Sequence, residues 1–257
     1  MIGGVLLGAA LMTSIATEAQ DERNKSLVKM EEQGWEYELK AGLNIGGTSP
    51  LPLPVEIRSI DSYSPRLNGT LEGTATWWIG RKRKWGVSAA LKLETKGMST
   101  GATVKNYSTQ IIDEGEKVSG FWTGKVKTNY SAHFITLPLM ANYQLSSRWK
   151  VRAGMWLSYL TEGDFSGHVS DGYLREGTPV GEKIEFKDGK RASYDFNDEL
   201  NCFLWGLQAG GSWRAYSHFL LTADLTWGMN DVFKSSFKTI TFDMYPIYLN
   251  VGFGYRF

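Results

Sequence analysis

From residue 35 onward, apolar and polar residues alternate with a period of two in eight separate stretches. In the first, about 35–46, Trp35, Tyr37, Leu39, Ala41, Leu43 and Ile45 share one face, and Glu36, Glu38, Lys40 and Asn44 the other. The same pattern returns over about 69–80, 85–97, 129–145, 149–161, 201–215, 219–230 and 242–257. Successive side chains of a strand point to opposite faces, so the pattern predicts eight strands. Their apolar faces carry no charge. The opposite faces carry Glu36, Glu38, Lys40, Glu72, Lys92, Glu94, Arg152 and Asp224. A water-soluble barrel would hide the apolar face and expose the charged one. Apolar faces built this cleanly suit a lipid surround, with both signs of charge turned inward.

The connections sharpen the picture. They alternate long (47–68, 98–128, 162–200) and short (81–84, 146–148, 216–218), with an intermediate one at 231–241. Short periplasmic turns and longer surface loops are the habit of outer-membrane barrels. Trp35, Trp77, Trp85, Tyr143, Trp149, Trp213, Phe219, Tyr255 and Phe257 gather by the short turns or the terminus. Tyr159, Phe203, Trp227 and Tyr245 lie by the long loops. These are two interfacial girdles. The expected fold is therefore all-β: an eight-stranded antiparallel up-and-down transmembrane β-barrel over 35–257, with both termini periplasmic, in the cell outer membrane. Pro138 is the awkward residue, because proline cannot donate to a ladder.

Composition agrees. Aromatics make up 13% of the 257 residues, with 29 Gly and 7 Pro, which suits hairpins and interfaces better than helices. The formal charge of +1 leaves no basic footprint for nucleic acid. No mature stretch has the ~18 apolar residues of a membrane helix. Residues 2–12 are apolar and short, and Thr17 and Ala19 place small residues before Gln20. This predicts a signal peptide over 1–19 and a periplasmic leader over 20–34. No Lys or Arg precedes the apolar run, which leaves room for a start upstream of Met1. Cys202 is the single cysteine, so neither a disulfide nor a thiolate metal cluster is expected.

Several segments resemble the PorT-like outer-membrane β-barrel family, many of whose members are described only as porin-family proteins. They are Ala41-Gly42-Leu43-Asn44-Ile45-Gly46-Gly47, Glu94-Thr95-Lys96-Gly97-Met98, Ile135-Thr136-Leu137-Pro138-Leu139, the run Phe203 to Gly211, and the closing Tyr255-Arg256-Phe257. The resemblance makes Pro138 easier to accept. It implies recognition by the barrel-assembly machinery through Phe257, and a link to protein secretion or surface display. Thr136 departs from it, since many members carry Glu there. The family has no common activity, so the likeness brings fold rather than function.

The chemistry is sparse. Ser131 and His133 lie two apart with lipid-facing parity, faintly like outer-membrane lipid deacylases. A triad needs a carboxylate to orient the imidazole, and none falls on a lipid-facing position of the predicted strands. Asp164, His168 and Asp171 share a loop without a metal-binding spacing. His218 sits in a turn. Arg81-Lys82-Arg83-Lys84 reads as a solvated turn by anionic headgroups. Tyr107, Phe121, Trp122, Phe165, Tyr173, Phe186 and Tyr194 populate the long loops, either as a binding surface or as packing between loops. No catalytic, cofactor or metal residue is assigned. The expected function is a non-enzymatic envelope barrel with a structural or interaction role. Its expected partners are outer-membrane lipid and lipopolysaccharide and a protein at the loops. A narrow diffusion channel and a lipid-modifying enzyme are the alternatives.

Overall fold

The computed structural model describes residues 34–80, 83–113 and 115–257. The predicted signal peptide, nearly all of the leader, and Arg81 and Lys82 lie outside them. Ten strands are present among the described residues: β1 (Trp35–Pro50), β2 (Ile57–Pro65), β3 (Asn68–Ile79), β4 (Trp85–Asp113), β5 (Glu116–Gln144), β6 (Trp149–Glu176), β7 (Lys183–Asp195), β8 (Phe203–Arg214), β9 (Phe219–Gly228) and β10 (Met244–Arg256). Eight of them are those the alternation predicts. They pair antiparallel as β1–β3–β4–β5–β6–β8–β9–β10, and β10 returns to β1.

The ring closes with a stagger. From Gly47, the register partners run through Ile247, Trp227, Leu207, Met155, Leu139, Ala89 and Ala75. They re-enter β1 at Tyr37, ten residues from Gly47. A staggered register of this kind requires strands tilted by roughly 35–45°. Burial follows the predicted parity. Leu39, Leu71, Leu91, Leu137, Leu207 and Leu225 stand exposed on the outer face, while Glu38, Lys92, Glu94 and Asp224 are buried inside. Paired rings mark the turn end: Trp35 with Trp77, Trp85 with Tyr143, and Trp149 with Trp213. Pro138 is accommodated inside β5, pairing with Trp156 on β6 while the ladder to β4 lapses at Leu137 and Pro138.

Two expectations need correction. The segments 98–128 and 162–200, read as loops, are mostly strand, because β4, β5 and β6 run 29, 29 and 28 residues. The sheet also has ten strands rather than eight. β2 pairs with β4 beyond Met98, and β7 pairs with the end of β6 and touches β4 through Ile112–Ser193. The long connections thus extend the same sheet beyond the barrel, around an apolar core that includes Trp122, Phe186, Ile111, Leu174 and Val169.

Candidate functional site: a filled lumen below a folded loop assembly

The inward positions bring together five carboxylates and five cations. Glu36, Glu38, Glu72, Glu94 and Asp224 face Lys40, Lys92, Lys96, Lys150 and Arg152. Near the turn end, Lys150 holds Glu36 at 2.9 Å, and Lys40 holds Glu38 at 3.1 Å and Glu72 at 3.0 Å. Further up, Glu94 is gripped by Lys92 and Lys96, each at 2.9 Å. Arg152 meets Asp224 through both Nε, at 2.7 Å, and Nη2. Gly210 lies between these two in register, and a Cβ there would come within 2.2 Å of the Asp224 carboxylate. The glycine is what lets a three-strand span close as an ion pair. An eight-stranded lumen has room for little more than its own side chains. Balanced charges are the form in which buried ions are tolerated.

Aromatic side chains cap both ends of this network. At the turn end, buried Trp78 donates to Glu36 at 3.2 Å. At the loop end, Lys96 lies 4.6 Å from the ring centroid of Trp156 and 5.4 Å from that of Phe134. Trp156 in turn donates to the carbonyl of Leu207 at 3.1 Å. Above Lys96 the interior changes to the apolar core of the loop assembly.

The segments that carried the family resemblance meet inside the barrel. Asn44 donates to Glu94 at 2.9 Å, and Thr136 donates to the same carboxylate at 2.8 Å. Asn250 donates to Asn44, also at 2.9 Å. Thr136 therefore contributes a hydroxyl where a second carboxylate would crowd Glu94.

The loop aromatics are mainly packing. Trp122, Phe165, Phe186 and Tyr194 are buried, with Trp122 against Phe186 at 5.3 Å and Phe165 against Phe233 at 4.8 Å. Burial pushes the phenol of Tyr194 well above its usual value. Of the two readings of these rings, packing between loops holds for those four. Asp164, His168 and Asp171 are strung along β6. Asp164 accepts from Ser166 at 2.8 Å and Asp171 pairs with Lys125 at 3.0 Å. His168 stands opposite Lys127, and burial with the Arg191 and Lys127 charges lowers its pKa. His218 lies against the carbonyl of Arg256 at 2.8 Å and stacks on Tyr255. Cys202 is exposed and unbridged.

A carboxylate does stand beside His133, contrary to the sequence reading. β6 continues past residue 161, and a bulge at Thr161 turns Glu162 outward, opposite His133. Asp164 stands opposite Ser131. Four polar side chains thus share the outward face at the upper edge of the apolar band. The Thr161 hydroxyl donates to the His133 carbonyl, at 3.0 Å, and Asp164 accepts from Ser166; among the described residues no hydrogen bond links the four side chains to one another.

The family model described as "Outer membrane protein beta-barrel domain" matches residues 18–234. The chain belongs to that family. This outer-membrane barrel is similar in fold to Ail, the attachment invasion locus protein of Yersinia pestis, at 9% identity and a TM-score of 0.36, over 87% of this chain and 97% of that one. It is similar also to Neisserial surface protein A, at 12% and 0.33, over 87% and 97%. A third is the outer membrane protein OprG from Pseudomonas aeruginosa, at 11% and 0.31, over 88% and 97%. No curated protein sequence matches the barrel.

Proposed function

We propose that the chain is a non-conducting, non-enzymatic barrel that presents its folded loop assembly at the cell surface as an interaction module, with the short turns and termini in the periplasm. The observation that carries this reading is the continuity of β4, β5 and β6 from the apolar band into an assembly with its own core. Such a platform is preorganised, so a partner meets it without the entropy cost of ordering loops. The filled lumen supports the same reading, because it occupies the path a solute needs. The PorT-like motifs favour secretion or surface display as the setting.

Two measurements test this. Purified protein in planar bilayers is expected to show no steady conductance, and a conductance altered by Arg152→Ala would overturn the filled lumen. In whole cells of a Cys202→Ser background, Lys117→Cys and Lys187→Cys are expected to label and Ser147→Cys not. The opposite pattern reverses the orientation.

A second reading, a lipid-modifying enzyme, is favoured by one specific observation: Glu162 opposite His133, with Ser131 two residues away. In it Ser131 is the nucleophile, His133 the base and Glu162 the group that orients the imidazole. An apolar groove along Leu71, Leu93 and Ile135 passes His133 on the lipid side. Incubation with outer-membrane lipid and mass analysis of the products separates the readings. Deacylation lost in both Ser131→Ala and His133→Ala establishes the enzyme.

A further inference from the structure

β3 ends at Asn68, whose side-chain amide reaches the carbonyls of Asn44, at 3.3 Å, and Gly97, at 2.9 Å. That residue ties β1 to β4 at the level where β3 gives out. Beyond it the two strands part. β1 continues beside β10 as far as Pro50, while β4 takes β2 as its new neighbour from Met98 on. A hydrogen bond from Tyr63 OH to the Gly46 carbonyl, at 2.7 Å, crosses the seam between β1 and β2.

Behind this seam lies a cavity of about 320 Å³. Its walls are mainly apolar, with Met98, Ala102, Val104, Val126 and Phe165 among them, but Ser49, Thr100, Tyr107 and Thr128 also line it. No charged side chain among the described residues lines it. Leu53, Ile60 and Tyr63 are also in the lining, and all three are exposed, which places them at the mouth. Thr48, in the wall, is 3% exposed, and its hydroxyl makes no hydrogen bond of full geometry among the described residues. The neighbouring Tyr248 phenol is close enough to sense Thr48, but it too lacks a partner of good geometry.

A buried water needs two to four polar partners, so water is held only beside the few hydroxyls, and the apolar remainder of the cavity suits a hydrocarbon chain. A buried hydroxyl without a partner is costly and marks a place where one is expected. The volume falls in the range of small-molecule sites, ~300–1,000 Å³. At ~30 Å³ for a water-sized group, it holds roughly ten of them. The absence of lining charge disfavours an ionised head, which would be buried unpaired. The apolar mouth favours entry of a hydrocarbon chain.

We propose that this cavity binds a neutral single-chain amphiphile of about ten heavy atoms, an alcohol, ketone or ester, whose oxygen hydrogen-bonds to Thr48. The lining contains none of the lumen ion-pair residues and neither Ser131 nor His133, and the Tyr248 ring, 5.7 Å from Lys96, stands between Thr48 and the lumen network.

The test uses the full barrel in nanodiscs of dimyristoylphosphatidylcholine, with tritiated 1-decanol as the probe and protein-free discs as the blank. Saturable retention of one decanol per barrel is expected. Thr48→Val, nearly the same shape, is expected to weaken it about threefold to tenfold, the worth of one hydrogen bond. Ala102→Trp fills the space and is expected to abolish saturable retention. Heat-modifiable gel mobility establishes that each variant has assembled, and Thr48→Val carries the test if Ala102→Trp has not. Decane and decanoate at pH 8 are each expected to bind more weakly than decanol. Native mass spectra test the size and charge of the occupant: a neutral single-chain species of about decanol's mass released by decanol supports the proposal, and a charged or two-chain membrane lipid released by decanol overturns it. Purely linear partitioning, or equal binding by wild type and assembled Ala102→Trp, overturns the site. Equal binding of decane and decanol overturns the role of Thr48.

Discussion

The apolar band and the loop assembly are built from the same strands with opposite polarity. β5 shows the change along one chain. Low in the strand, Ala141, Leu139, Leu137 and Ile135 point outward while Asn142 and Thr136 point inward. Beyond Phe134 the same outward parity presents His133, Lys127 and Lys125, and the inward one Ala132, Tyr130 and Val126. The pleat does not change phase at that point; the surroundings do. In lipid, the outer face must be apolar and polar groups gather inside. In water, the hydrophobic effect turns the arrangement over. Each region holds inside what the other turns outward or excludes: paired ions in the lumen, apolar side chains at the loop end.

If the two regions are stabilised independently, Trp122→Ala breaks one and spares the other. The side chain is fully buried against Phe186, and truncation of a buried aromatic costs about 3–5 kcal/mol. Limited proteolysis is expected to cut within β4, β5 and β7 of the loop assembly, while the barrel keeps its heat-modifiable mobility. A variant that fails to insert at all would show that the barrel depends on the assembly above it.

Arg152→Ala attacks the other region. It leaves Asp224 buried and unpaired, at a cost of about 3–5 kcal/mol. The double variant Arg152→Met with Asp224→Leu removes both charges, and its stability is expected to return close to wild type, because desolvation offsets most of the attraction. Urea unfolding of the refolded barrel measures both. Equal losses in the single and double variants would mean that the packed shape of the pair matters and its charge does not.

How far these regions could be read from sequence follows from the same contrast. The band was legible because its outward residues are large and apolar, as in Leu137 and Leu139, and its inward ones charged. The loop-end extension was not. Inward Met98, Thr100 and Ala102 alternate with Ser99, Gly101 and Thr103, a contrast too shallow to register as a period. Bulges obscured the rest. The register shift between Val104 and Tyr107 interrupts β4, and the extra residue at Thr161 hid Glu162 from the face of His133. Lys96 lies within the predicted strand 85–97 and shares the inward parity of Lys92 and Glu94, but it was not counted among the lumen charges. The cavity at Thr48 has no sequence signal, since it arises where β3 stops and β2 turns aside.

The outward face of β5 allows the boundary to be placed by depth. Leu139→Arg puts a charge in the apolar band, at about 2–4 kcal/mol near the midplane, while His133→Arg sits at its upper edge, where the cost is about 0–1 kcal/mol. Folded yield into lipid vesicles is expected to fall sharply for the first and little for the second. Equal yields would move the edge of the band past His133.

The smallest effect is expected at the loop end, from an ion pair of the same kind as the large one in the lumen. Lys125 and Asp171 are 3.0 Å apart, with side chains 62% and 56% exposed, against 4% and 5% for Arg152 and Asp224. Exposed pairs contribute about 0–1 kcal/mol, because water solvates both partners once they separate and salt screens them while they are together. Lys125→Ala is therefore expected to leave proteolytic protection of the loop assembly within error of wild type at 0.15 M salt. Any difference should vanish at 1 M salt, where the Debye length falls to about 3 Å. The lumen pair lies beyond the reach of bulk salt, so the loss caused by Arg152→Ala should be the same at both ionic strengths. Should Lys125→Ala instead loosen the assembly in a salt-independent way, the aliphatic stem of Lys125 is packing across β5 and β6, and the outer surface is less purely solvated than its exposure indicates.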